Sequence, residues 1–104
     1  MGFLNSSTLP ASELTPVTQT IYNISLGVAN TEQSQAMPAT IRGYLIRTRG
    51  VSDLKLTHVS GESGTKYVSI PGLSTYTDEK TYNNLTLYFQ SPSTGDVVEI
   101  VTWS

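Results

Sequence analysis

Strict alternation of apolar and polar residues over short segments is the feature that most limits the fold of this chain. The stretch 85–90, Leu-Thr-Leu-Tyr-Phe-Gln, alternates throughout, and residues 17–28 show the same period from Tyr22 to Val28. A period of two places the apolar side chains on one face of a β-strand, whereas an amphipathic helix needs a period near 3.6. The sequence therefore predicts half-buried strands.

Turn residues divide the chain into further short strands. The polar residues 30–38 end in a proline and predict a loop, the glycine-flanked residues 60–64 predict a hairpin loop, and Asn83-Asn84 predicts a tight turn with positive φ angles. Beyond 17–28 and 85–90, strands are predicted at 40–48, 51–59, 66–70 and 97–103, with an edge strand through Tyr76. Six or seven short strands predict one all-β sandwich, of either jelly-roll or immunoglobulin-like order.

The first 16 residues differ from the rest. They are rich in Ser, Thr and Pro, and their large apolar residues follow no helical or strand period. We interpret residues 1–16 as an extended N-terminal arm and residues 17–104 as the β-sandwich domain. A domain of this size has a thin core, and no cysteine is present to stabilise it by disulfides. Contacts with other subunits are therefore expected to bury additional surface.

Charge and hydropathy exclude two classes of partner. The net charge is −2, and the six basic residues are spread between Arg42 and Lys80, so the chain lacks the basic patch that phosphate backbones require. No apolar run approaches the roughly 18 residues that a membrane-spanning helix needs. We predict that the protein binds neither nucleic acid nor membranes.

The residues that carry chemistry are few. His58 is the only histidine, and the nearest acid in its predicted strand, Asp53, is five residues away and hence on the opposite face. One histidine without cysteine cannot form a zinc site, and no phosphate-binding glycine motif occurs. The sequence predicts a non-enzymatic protein with no cofactor and no metal site. A calcium ion is an open alternative, with oxygen ligands from Asp78, Glu79, Asn83 and Asn84.

Several residues are candidates for contacts with a protein partner. The last strand, 97–103, is apolar on both faces, which is typical of a strand that is central in its sheet or covered by a partner. Three arginines lie near one predicted strand, either at a subunit interface or protecting an exposed edge from unwanted pairing. The candidate partner-binding residues are Phe3, Leu4, Leu9, Leu14, Arg42, Arg47, Arg49, Val101 and Trp103.

Three C-terminal segments carry a family resemblance. They are Lys-Tyr-Val-Ser-Ile-Pro-Gly at 66–72, Leu-Thr-Leu-Tyr-Phe-Gln at 85–90, and Val-Val-Glu-Ile-Val-Thr-Trp at 97–103. A strand ending in Pro-Gly, a Leu-x-Leu-Tyr strand and a last strand with Glu-x-x-x-Trp resemble small bacteriophage virion proteins of the capsid decoration or cement type.

The resemblance implies a structural role in a virion. It implies a β-sandwich, often trimeric, made in the host cytoplasm and bound to the major capsid protein or another virion protein on the outer capsid surface, where it stabilises the shell. A tail adaptor or the base domain of a head fibre is an alternative within the same class. The alternative from another class is a carbohydrate-binding module, with Tyr76 and Tyr82 as candidate stacking residues.

Overall fold

The structure is a computed structural model that describes residues 18–104. These residues form ten β-strands and no helix, which confirms the predicted all-β class. The strands are β1 (Gln19–Ser25), β2 (Gln33–Ala36), β3 (Thr40–Ile41), β4 (Gly43–Thr48), β5 (Leu54–Thr57), β6 (Val68–Ile70), β7 (Thr75–Asp78), β8 (Tyr82–Asn83), β9 (Thr86–Gln90) and β10 (Val97–Trp103).

Eight of the strands form two four-stranded antiparallel sheets. Sheet I has the order β1-β10-β4-β7 and sheet II the order β2-β9-β5-β6, while β3 and β8 pair separately. The first strand thus pairs with the last, and the second with the second to last. Strands β4 and β7 pair in sheet I, whereas the hairpin β5–β6, which lies between them in the chain, belongs to sheet II. This nested pairing is the order of an eight-stranded jelly roll. The strand order therefore selects the jelly roll over the immunoglobulin-like alternative.

The core lies between the two sheets and follows from the alternation in the sequence. Every second residue of the central strands faces inward and is buried, as in the predicted stretch 85–90, where Leu87 and Phe89 are fully buried. Leu85 packs against the same core from just outside the strand. The other large core residues on the central strands are Tyr44, Ile46, Leu54, Leu56, Val98 and Ile100.

Two sequence predictions about the strands are wrong. Residues 30–38, predicted as a loop, contain β2, whose sequence Gln-Ser-Gln-Ala offers no apolar alternation because it is an edge strand with half-exposed side chains. Its backbone is held by pairing with β9. The predicted strand 40–48 is interrupted at Arg42, because β3 leaves sheet I to pair with β8.

Other predictions are confirmed in detail. The last strand has the predicted bounds 97–103, and Tyr76 lies in β7, at the edge of sheet I. Asn84 has φ of 54°, as the predicted turn requires, whereas Asn83 belongs to β8. The predicted arm, residues 1–16, lies outside the described residues.

Candidate interaction surfaces

The solvent-facing side of sheet I carries an unusual row of apolar side chains. β10 runs between β1 and β4, and the strand register places Val101 opposite Ile21 on one side and Leu45 on the other. Ile21 is 60% exposed, while Val101 and Leu45 are partly buried by their neighbours. Trp103 follows two residues after Val101 and hence lies on the same face. We call Ile21, Leu45, Val101 and Trp103 the outer apolar patch.

A charged cluster continues the same face. Glu99 lies two residues before Val101, and its carboxylate accepts a hydrogen bond from Arg49 Nε at 2.6 Å. Arg47 Nε lies 3.3 Å from the second carboxylate oxygen, an ion pair that lacks hydrogen-bond geometry, so this buried nitrogen has no hydrogen-bond partner among residues 18–104. Two guanidinium groups share one carboxylate. The cluster therefore keeps one excess positive charge, which favours an acidic group on a partner.

The structure brings together most of the described candidate partner-binding residues. Arg47, Arg49, Val101 and Trp103 all project from the outer face of sheet I. The last strand lies at the centre of its sheet, one of the two positions that its apolar character predicts. The arm residues Phe3, Leu4, Leu9 and Leu14 lie outside the described residues.

Arg42 lies at the end of this face. Its backbone N–H donates to the carbonyl oxygen of Trp103 at 2.6 Å, which anchors the break between β3 and β4 to the end of β10. Arg42 and Trp103 line an open depression of about 310 Å³ together with Gly43 and Glu79. The Arg42 side chain is therefore adjacent to Trp103 of the outer apolar patch.

Sequence reasoning did not identify Ile21 and Leu45 as part of this surface. The signal for Leu45 was present, because Tyr44, Leu45 and Ile46 make β4 apolar on both faces, as in β10. Ile21 stands alone among polar outward residues of β1, so only the register with Val101 shows its role.

A second candidate surface is an open cleft at one lateral edge of the sandwich. It lies where β6 and β7, the edge strands of the two sheets, face each other, and its volume is about 550 Å³. The lining is mainly apolar and aromatic. It includes Tyr44, Leu56, His58, Tyr67, Val68 and Tyr76, and we call it the aromatic cleft.

A neutral hydrogen-bonded pair lies in this cleft. The hydroxyl oxygen of Tyr44 is 2.8 Å from Nε2 of His58, and burial raises the pKa of the tyrosine. Burial also lowers the pKa of His58, although the nearby carboxylate of Asp78 acts in the opposite direction. At neutral pH the two groups are therefore an uncharged phenol and an uncharged imidazole. The ring of Tyr82 meets that of His58 edge to face, with centroids 5.3 Å apart.

Asp78, and not Asp53, is the acid near His58. Burial alone would raise the pKa of Asp78, but hydrogen bonds from the Tyr82 hydroxyl and the Lys80 backbone N–H outweigh it, so the pKa is lowered. The same bond from Tyr82 raises the pKa of that tyrosine to about 12.

Two of the four candidate calcium ligands, Asp78 and Asn83, are engaged in local hydrogen bonds. Asn83 accepts a hydrogen bond from the Thr40 hydroxyl at 3.0 Å, and Asp78 accepts those just described. Within residues 18–104, no three His, Asp or Glu side chains lie close enough together to hold a metal ion. The described part of the chain also contains no helix that could cross a membrane.

Comparison with known proteins gave no match: no family model fits the chain, and neither a curated protein nor a solved structure is similar to it.

Proposed function

We propose that the chain is a non-enzymatic virion structural protein that binds the outer capsid surface and stabilises the shell. The observation that carries this proposal is the outer apolar patch. The exposed side of an antiparallel sheet is normally polar, yet Ile21, Leu45 and Val101 form a continuous row across the solvent-facing side of sheet I. Such a row is expected where a second protein covers the sheet.

The energetics of the patch suit a protein contact. Full burial of a large apolar side chain contributes about 1.5–3 kcal/mol relative to exposure, and Ile21 retains 60% of its surface for a partner to cover. The patch spans β1, β10 and β4, three strands that pair with one another in sheet I, so little conformational entropy is lost when it is covered. Standard interfaces bury about 800 Å² per partner, so the patch would form the apolar centre of a larger contact.

The charged cluster adds direction to the contact. Arg47 and Arg49 flank the single carboxylate of Glu99, so a partner acid can complete the cluster with a second ion pair. Charges beside an apolar centre steer association and fix the register of the two surfaces. The partner in this proposal is another copy of the chain, within a trimer, and the major capsid protein beneath it.

The family resemblance supports the same assignment. Two of its three segments, 85–90 and 97–103, form β9 and β10, the central strands of the two sheets. The jelly roll is also a common architecture of viral capsid domains. The resemblance thus involves the strands that organise the fold and the strand that presents the patch.

Particles made with and without the gene test the proposal. We expect purified particles to contain the protein by mass spectrometry, and particles that lack it to release their genome at a lower temperature. Purified protein added back is expected to restore the release temperature. Val101→Asp is expected to abolish this rescue, because it places a charge in the centre of the patch.

The matched control is Thr86→Asp, a charge on β9 at the outer face of sheet II. It is expected to rescue as the unchanged protein does. Equal stability of the two kinds of particle, with no binding of the added protein, would refute the capsid role. Binding of the added protein to the tail alone would instead identify it as a tail adaptor.

A further inference from the structure

We propose that the aromatic cleft between β6 and β7 is a binding site for a sugar ring. This inference goes beyond the proposed structural role, because the cleft lies at the lateral edge of the sandwich and shares no lining residue with the outer apolar patch. A virion protein with such a site would attach to glycans through one surface and to the shell through another.

The walls of the cleft present aromatic rings to a ligand. Tyr44 forms part of the buried wall, Tyr76 is partly buried beside it with ring centroids 6.3 Å apart, and Tyr67 remains 41% exposed. Lys55, which does not line the cleft, has its Nζ 4.9 Å from the centre of the Tyr67 ring, a cation–π contact on one face of this ring. Tyrosine rings carry negative π faces, on which the weakly positive C–H face of a pyranose packs well.

The polar groups of the cleft are few and placed among the rings. His58, whose Nε2 bonds the fully buried Tyr44 hydroxyl, adds an exposed and uncharged imidazole, and Lys66 lines the cleft with an ammonium group. Small-molecule sites are typically of this kind, mostly apolar with a small number of convergent polar groups, and range from about 300 to 1,000 Å³. The cleft volume of about 550 Å³ lies within that range.

The open form of the cleft distinguishes a sugar from other ligands. A ligand here has one side against the rings and the other in water, so it must be apolar on one face and richly hydroxylated at its edges. A lipid chain would leave apolar surface exposed to water. A nucleotide would bring two or more negative charges to a cleft whose lining contains one lysine and an uncharged histidine.

Unpartnered apolar surface at the mouth supports a ligand in the cleft. Val59 and Val68 both line the cleft and remain about half exposed, at 51% and 47%. β6 is only three residues long and, among the strands of residues 18–104, pairs on one side alone. A sugar ring against Tyr67 and Tyr76 would cover part of that surface.

A glycan array probed with the labelled full-length chain tests the inference. Neutral and acidic oligosaccharides are included, and the best binder is then titrated while the tyrosine ring signals are followed by NMR. Trp103 lies on the outer face of sheet I, so its fluorescence is not a suitable reporter. We expect saturable binding with shifts of cleft tyrosines.

Variants locate the site. Tyr76→Ala and Tyr67→Ala are each expected to weaken binding at least tenfold, and the exposed Tyr67 makes its variant the safer test of a folded protein. Tyr88→Ala, on the outer face of sheet II, is the matched control and is expected to bind as the unchanged chain does. Absence of binding to every oligosaccharide overturns the inference, as does full binding by both cleft variants. Shell attachment by these variants is expected to stay intact, so the two proposals fail separately.

Discussion

A buried hydroxyl without a partner makes Thr102 a site where a single substitution is expected to stabilise the domain. Thr102 faces the core from β10 and is fully buried, yet its Oγ1 has no hydrogen-bond partner among residues 18–104. An unpaired buried hydroxyl costs about 1–3 kcal/mol in protein mutational data. Thr102→Val replaces it with a methyl group of similar volume and keeps the β-branching that strands favour.

The expected gain is about 1–2 kcal/mol in the free energy of unfolding. The methyl group retains the dispersion contacts of the hydroxyl, so the gain reflects the removal of the unpaired polar group. For a domain of this size, each 1 kcal/mol corresponds to a rise in Tm of about 4–8 °C. The effect is therefore well above the error of a melting experiment.

Thr48 offers a matched control with the opposite sign. It is fully buried on the neighbouring strand β4, but its Oγ1 accepts a hydrogen bond from the Gly50 backbone N–H at 3.1 Å. Thr48→Val removes this acceptor and leaves the Gly50 donor unpaired, so we expect a loss of about 1 kcal/mol. The same chemical change in adjacent strands should thus move stability in opposite directions.

Urea unfolding followed by circular dichroism measures both variants. Equal m-values would show that a shift in midpoint reports stability and not a change in the unfolded chain. A lower midpoint for Thr102→Val would refute the reasoning, since it would mean that the hydroxyl makes a favourable interaction in the folded protein.

Two further predictions concern the loops. The Glu32 carboxylate accepts hydrogen bonds from the Ser63 hydroxyl at 2.6 Å and from two backbone N–H groups, which lower its pKa. The contribution of the Glu32 carboxylate to stability is present above the carboxyl pKa of the unfolded chain, about 4.3, and is lost as pH falls through the lower folded value. Glu32→Gln should therefore lower the free energy of unfolding at pH 7 by about 1 kcal/mol and flatten the acid limb of a stability–pH curve. Gly72→Ala should destabilise by about 1–3 kcal/mol in thermal melts, because its Cβ would collide with the Val51 backbone, whereas Gly27→Ala, with open space around its Cβ, should be nearly neutral. An unchanged acid limb in Glu32→Gln, or equal melts for the two alanine variants, would contradict these predictions.

The strands that the sequence predicted best are those with one face in the core. Residues 85–90 alternate because sheet pairing places every second side chain between the two sheets, and 97–103, although apolar on both faces, has its buried residues at the same spacing. β2 was not predicted because its side chains are polar and show no alternation of apolar and polar residues. This edge strand is specified by its backbone pairing with β9. The choice of the jelly roll required the order of strands, which the pattern within each strand does not contain.

The same distinction applies to the candidate surfaces. Val101 and Trp103 were predictable because residues two apart share a strand face, but Ile21 and Leu45 join them only through the register between strands. The aromatic cleft depends on how the two sheets pack at one edge. Tyr44 and Tyr76 come from sheet I, and His58 follows a strand of sheet II, so their proximity could not be derived from spacing along the chain.

The mass of the protein in solution most directly tests the central claim that the outer apolar patch is a protein contact. Light scattering over a range of concentrations should give three times the 11.3 kDa of one chain, and Val101→Asp should reduce this to the mass of one chain while Thr86→Asp leaves the trimer intact. A single-chain mass at every concentration, or a trimer that Val101→Asp does not disturb, would contradict the account of this surface.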